Sequence, residues 1–253
     1  MIRKRYCLVL LSVLLTTQVQ ADTTLGLTAE ANFWNMSSSG SFSDTTSSLQ
    51  QSFDLGTVQV GVLSLALEHP IPLLPNVKIR TSNLSAEDSK TLTSTFHYGG
   101  VDYPFNTNVN VDFSVQSTDL IFYYELFDND TVSFDLGLNM KFLDGDIRLK
   151  ESGGYISSKG YFDGYVPMVY GAAQVGIPAT RLYFYGDFNF LSFGDHTLQD
   201  YLVGAAYGLL ESPGVDVKLK GGYRRLSLEL DDLDGFYADW DFDGLYFGIE
   251  ADF

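Results

Sequence analysis

The residues best suited to chemistry lie near the end of the chain. Asp239-Trp240-Asp241-Phe242-Asp243-Gly244, followed by Glu250, spells a calcium loop: acids at positions one, three and five, glycine at six and glutamate at twelve. An EF-hand needs a helix leaving that loop so that the last carboxylate folds back onto the ion. Here Leu245, Phe247 and Ile249 alternate as in a strand, which at about 3.3 Å per residue holds Glu250 about 20 Å from Asp243. The spacing therefore predicts a loop in which Asp231, Asp232, Asp234, Asp239 and Asp241 are solvated acids, with no resident metal or other cofactor. Catalytic acid–base work has few candidates. The histidines are His69, His97 and His196, with Asp102 and Asp195 near the last two. Neither neighbourhood matches a hydrolase motif, so an enzyme with a rim histidine, a protease or a lipid-modifying one, is the alternative reading and no catalytic residue is assigned.

A third set is more informative. Glu30, Lys78, Arg80, Asp135, Lys141, Asp187, Lys218, Lys220, Arg224, Glu250 and Asp252 all fall on the polar side of segments that alternate with period two. In the clearest of these, Val132, Phe134, Leu136, Leu138, Met140 and Phe142 form one face and Ser133, Asp135, Gly137, Asn139 and Lys141 the other. Ten such segments are expected, at 24–35, 57–69, 76–86, 111–127, 131–147, 162–176, 181–192, 198–210, 215–230 and 240–253. Residues 57–69 are apolar on both faces, and Gln116 to Asp119 switches phase in the manner of a bulge. Tight connections (69–76, 128–130, 177–180, 210–214) alternate with extended ones (35–55 and 87–110), and the Ser/Thr-rich stretch from Ser37 to Ser48 reads as a long loop.

This pattern predicts a transmembrane up-and-down antiparallel β-barrel of ten strands, with eight as the second choice. Aromatic residues make up 15% of the chain, enough for girdles at both bilayer interfaces. A secreted β-sandwich would share the alternation but has shorter strands. In a barrel the charged set faces the lumen, either as a self-satisfied polar plug or as a narrow path for ions and small solutes, and the plug is favoured because charges at low dielectric need partners. The expected role is structural, in recognition, or as a narrow channel. Arg3, Lys4 and Arg5, an apolar run from Cys7 to Leu15 and the exit Val19-Gln20-Ala21 read as a signal peptide over 1–21, leaving one barrel domain over 22–253. Its removal takes positive charge from a net of −17, which argues against nucleic acid as a partner. The sole cysteine, Cys7, lies within that segment, so the mature chain has no disulfide.

Leu245, Phe247, Ile249, Ala251 and Phe253 share one face of the last segment, and this ending resembles the insertion signal of outer-membrane proteins. The resemblance implies recognition by the barrel-assembly machinery, a place in the cell outer membrane of a Gram-negative bacterium, and lipid and lipopolysaccharide as neighbours. The turn Glu68-His-Pro-Ile-Pro-Leu-Leu-Pro-Asn76 is similar to that of a family of such barrels without assigned activity, whose members accompany GlyGly-type C-terminal sorting.

Overall fold

The computed structural model describes residues 25–43, 51–129, 131–233 and 236–253. The expected signal peptide and Asp234 lie outside them. In chain order the strands are β1 (Gly26–Ser43), β2 (Gln51–Glu68), β3 (Asn76–Thr91), β4 (Phe96–Tyr98), β5 (Val101–Tyr103), β6 (Asn108–Asp128), β7 (Val132–Glu151), β8 (Ser157–Gly176), β9 (Leu182–Phe193), β10 (His196–Ser212), β11 (Val215–Leu233) and β12 (Phe236–Asp252). All but β4 and β5 form one closed antiparallel barrel of ten strands, in which β12 pairs with β1. At the seam Phe253 and Leu27 exchange both backbone hydrogen bonds, at 2.9 and 3.2 Å. Closure removes the sheet edges that lipid cannot hydrate.

Short turns gather at one end of the barrel, the turn end, and the strands rise to longer hairpins at the other, the loop end. Near the turn end the outer surface is a belt of exposed apolar side chains, including Leu27 and Phe33 on β1, Leu63 and Leu67 on β2, Leu136 and Leu138 on β7, Phe184 and Phe188 on β9, and Leu245, Phe247 and Ile249 on β12. On β7 the belt runs from Phe134 to Phe142, which at about 3.3 Å per residue and a tilt of about 40° covers roughly 20 Å of bilayer. A water-soluble protein does not expose a continuous apolar ring of this size. The chain is therefore a transmembrane β-barrel.

Above the belt the alternation continues with its polarity reversed. On β3 the outward residues run Val77, Ile79 and Thr81, then Asn83, Ser85 and Glu87, whereas the inward ones run Lys78, Arg80 and Ser82, then Leu84 and Ala86. On β7 the outward series changes from Phe142 to Asp144 and Asp146 as the inward one changes from Lys141 to Leu143, Ile147 and Leu149. The cause is the solvent outside: lipid selects apolar side chains along the belt, and water selects polar ones above it, so the apolar residues turn inward to make a core.

This reversal corrects several sequence expectations. The extended connection at 35–55 is largely strand: β1 runs to Ser43 and pairs with β2 down to Phe42↔Gln51, with one register shift between Ser37 and Ser39. Its serines 37, 39 and 41 face out while Met36, Phe42 and Phe53 are buried. Gln116 to Asp119 is no bulge, because the register with β3 and β7 runs through it unbroken and the shift occurs at Glu125/Phe127. The phase switch was the polarity reversal. Val58, Val60 and Val62 on the doubly apolar β2 belong to the same core.

The stretch 87–110 is likewise not an open loop. After β3 ends, β4 and β5 form a hairpin on the two-residue turn Gly99-Gly100, both at positive φ, which glycine adopts without strain. The hairpin closes the loop end, burying Leu92, Phe96, Tyr98 and Tyr103. Tyr103 donates to the Leu149 carbonyl at 3.1 Å and shares a 2.7 Å hydrogen bond with the Ser158 hydroxyl. Gly160 supplies the seat: a Cβ there would collide with the Tyr98 hydroxyl.

Candidate functional site

The lumen is filled in two layers. The lower layer, at belt height, is ionic. Asp200 on β10 is fully buried and accepts from Arg224 Nε and Nη2 at 2.9 and 2.8 Å, from Lys141 Nζ at 3.1 Å and from Arg80 Nη2 at 3.5 Å. Asp119 on β6 accepts from Arg80 Nε at 2.9 Å and from the Asn139 amide at 2.8 Å, and lies 2.8 Å from Lys141 Nζ. Arg80 also reaches Asp187 at 3.1 Å. Nearer the turn end, Lys220 bridges Glu30 and Glu250 at 3.1 and 2.6 Å, and Lys218 bridges Glu250 and Asp252 at 2.9 and 2.8 Å. Lys78 lies 3.9 Å from both Glu30 and Asp187.

These residues come from β1, β3, β6, β7, β9, β10, β11 and β12, so the network crosses the barrel from wall to wall. The cations Lys78, Arg80, Lys141, Lys218, Lys220 and Arg224 meet Glu30, Asp119, Asp187, Asp200, Glu250 and Asp252 one for one. Cation–π contacts add to it: the Arg224 guanidinium lies 4.7 Å from the Trp34 ring and Lys220 Nζ lies 4.2 Å from the Tyr185 ring, whose hydroxyl pairs with that of Tyr246. Charges this deep are tolerated when they have close, hydrogen-bonded partners, and here all but Lys78, which is 15% exposed, have them.

The upper layer is aromatic. Trp240 stacks on Phe113 with centroids 5.4 Å apart and packs against Phe242 and Phe42 at 6.1 and 5.7 Å. Phe42 stacks on Phe53 at 5.1 Å and meets Phe96 and Tyr98 of the hairpin edge-on at 5.6 and 5.1 Å. The Trp240 indole N–H, buried with them, donates to Ser38 Oγ at 2.7 Å. Together the layers occupy the middle of the lumen.

A cavity of about 280 Å³ runs from the turn end up into the ionic layer, lined by Glu68, Glu125, Asp135 and Tyr123 and by Arg80 and Arg224 of the network, among others. Tyr123 donates to Glu68 at 2.8 Å and the Asn76 amide to Glu125 at 3.0 Å. Asp135, expected in the lumen, lies there with its buried Oδ1 lacking a hydrogen-bond partner among the described residues. Asp135→Asn is therefore expected to leave stability unchanged or raise it by about 1 kcal/mol, since the amide costs less to desolvate than the carboxylate. Urea midpoints of the two refolded proteins at pH 8 measure this.

Every residue of the sequence-derived lumen set faces inward. Two central ones were absent from it, Asp119 and Asp200. The signal for Asp200 was available, because Tyr201, Val203, Ala205 and Tyr207 form an apolar outward face that leaves it on the inner one. Asp119 was obscured by the polarity reversal just before it. On the last strand Leu245, Phe247, Ile249 and Phe253 are exposed in the belt and Ala251 is half-buried.

The acids of the calcium-like spelling are not in a loop. Asp239 and Asp241 pair in β12 opposite Glu229 and Ser227, and Asp231 lies in β11. Asp241 accepts from Arg225 at 2.8 and 3.0 Å and Asp243 from the Tyr223 hydroxyl at 2.6 Å, all on the outer wall, while Glu250 points into the lumen. Among the described residues no group of three His, Cys, Asp or Glu side chains is placed to hold a metal.

The histidines have separate partners. His69 braces its turn through Pro75 O and the Ile71 N–H. His196 accepts the Asp231 N–H at 3.3 Å. His97 lies 2.6 Å from Asp102 across the β4–β5 hairpin, with the Asp side chain 76% exposed.

No protein-family model matches the chain, and no curated protein matches it. Among solved structures it is similar to the outer membrane protease OmpT of Escherichia coli, with a TM-score of 0.52 and 9% identity over 95% of this chain and 99% of that one. Lower in similarity are the transport unit of the autotransporter AIDA-I from E. coli (TM-score 0.37, 8% identity, covering 95% and 93%) and a Pseudomonas aeruginosa FadL homologue (0.31, 9%, covering 91% and 90%). At these identities the likeness is one of fold: the chain has the fold of an outer-membrane β-barrel.

Proposed function

We propose that the chain is an integral outer-membrane protein whose bore is sealed, and that its loop-end half stands outside the cell as a rigid acidic platform for recognition. The observation that carries this reading is the pairing of the Asp119–Asp200 network with the aromatic layer above it, which fills the middle of the barrel with matched charges and packed rings. Lipid acyl chains meet the apolar belt, and lipopolysaccharide surrounds the polar wall above it. That wall displays Asp54, Glu87, Asp144, Asp163, Asp239 and Asp241 on its outer face, a surface suited to basic partners.

A catalytic reading has one observation in its favour, the His97–Asp102 pair. The exposure of both side chains fits it better to a surface cross-strand pair, screened by water. Replacing His97 by Ala should then leave any hydrolysis seen in the preparation unchanged.

Orientation and display are tested on intact Gram-negative cells carrying single cysteines. A membrane-impermeant maleimide is expected to label Ser39→Cys and Ser85→Cys directly, and Asn129→Cys, at the turn end, only after lysis. The reverse pattern would overturn the proposal.

A further inference from the structure

The barrel wall has a notch at the loop end. β8 is twenty residues long and pairs with β7 from Ser157 to Val175, but β9 has only twelve residues and pairs with β8 only from Val169 to Gly176. The β9–β10 hairpin has already turned at Gly194-Asp195. The far edge of β8 from Ser157 to Met168 is thus without a strand partner among the described residues.

An edge of this length presents a row of backbone donors and acceptors, and proteins usually blunt it with a bulge, proline or free lysine, or cover it. Here the register with β7 is unshifted throughout. Pro167 guards only the lower end. The ammonium of Lys159 is engaged with Asp146 at 3.2 Å and the Tyr161 ring at 4.2 Å.

Two side-chain features say what fits. Tyr161 and Tyr165, 77% and 69% exposed, offer apolar surface along the outer face of the edge. Between them Asp163 stands directly opposite Asp144 on β7, and neither has an ion-pair or hydrogen-bond partner among the described residues. Like charges facing across a ladder are destabilising. A strand added to the free edge puts one of its own residues beside Asp163 on the same face, where a cation would relieve the pair.

We propose that the Ser157–Met168 edge of β8 is a strand-addition site for an extended basic polypeptide segment, which sets a lysine or arginine beside Asp163 and apolar groups against Tyr161 and Tyr165. A second copy of this chain does not fit. Two barrels inserted the same way point their β8 strands to the same side of the membrane and, at a tilt of about 40°, cross them at about 80°, which forbids an antiparallel ladder. The proposal rests on the outward placement of the loop end only for where the partner comes from. Its test uses purified barrel and stands apart from the cell-labelling result.

The probe is a fluorescein-labelled peptide of about ten alternating lysines and valines. Its controls are a version with glutamate for lysine and one N-methylated at every second residue, all titrated against the folded full chain in zwitterionic detergent. Anisotropy should show binding by the lysine peptide alone. Hydrogen–deuterium exchange should show that amides within 157–168 facing the notch gain about tenfold or more protection, because they exchange freely when unpaired. Asp163→Lys should weaken binding about fivefold or more while leaving the β7–β8 amides as protected as before. Equal binding by the N-methylated or glutamate peptide, protection confined to other strands, or no binding would each overturn the assignment. Protection of the edge in the peptide-free protein, rising with its concentration, would also overturn it and assign the edge to self-association.

Discussion

Replacing Asp200 by asparagine is expected to lower the unfolding free energy by about 3–5 kcal/mol, the range for leaving buried charges without their partner. One carboxylate receives Arg224 through two nitrogens, Lys141 at 3.1 Å and Arg80 at 3.5 Å. Asparagine keeps the shape but removes the charge, and its amide presents donors to groups that can only donate. Lys141 keeps Asp119, and Arg80 keeps Asp119 and Asp187, whereas Arg224 has no other carboxylate partner among the described residues. The double variant Asp200→Asn/Arg224→Met should therefore recover part of the loss, a coupling of about 1–3 kcal/mol. Urea unfolding of protein refolded in detergent or liposomes, followed by tryptophan fluorescence, measures both. A loss under about 1 kcal/mol would mean that water reaches the cluster and that the lower layer is not sealed.

Trp240→Ala should cost a similar amount, about 3–5 kcal/mol, by a different route. The indole sits between Phe113, Phe242 and Phe42, and the β4–β5 hairpin packs on Phe42 in turn. Truncation leaves a void the barrel cannot collapse to fill, because the strands around it are fixed by closure, and it strands the Ser38 hydroxyl. The hairpin then loses its floor. Limited proteolysis should cut within residues 92–107 in the variant before cutting elsewhere, while the intact protein resists there. Equal resistance would show that the hairpin is held by its rim contacts, Tyr103 with Leu149 and Ser158, and not by the aromatic layer.

What could be read from the residues was set by which solvent each face meets. All ten barrel strands were legible because lipid demands an unbroken apolar face, as at Phe134 to Phe142, over spans longer than the strands of a soluble sandwich. Their upper halves were not. Above the belt the same chain meets water outside, so Ser37, Ser39 and Ser41 on β1 resemble a serine-rich loop, and Asp239 and Asp241 on β12 resemble a metal loop. In both places the period of two persists and only the assignment of in and out is exchanged.

The charged lumen set was found by the same rule, but its centre was lost. Asp119 follows the reversal by a few residues, and Asp200 could be found only from the outward face of Tyr201, Val203, Ala205 and Tyr207, because the rest of its inner face, Leu198, Leu202, Gly204 and Ala206, carries no charge. The apolar plug could not be inferred from patterns within single strands. Phe42, Phe96, Phe113 and Trp240 meet only because β1, β4, β6 and β12 converge over the barrel, and that depends on closure. Inverting the polarity rule once a strand passes the belt would have recovered most of it.

We propose that the bore is closed by matched charges below and aromatic rings above. Planar-bilayer recording of the folded, full-length protein in 1 M KCl tests it most directly. Insertion should be verified in the same preparation by the change in electrophoretic mobility on boiling that marks a folded barrel. A sealed bore gives a flat baseline at all voltages up to membrane breakdown. Discrete, reproducible current steps from protein shown to be folded would contradict it.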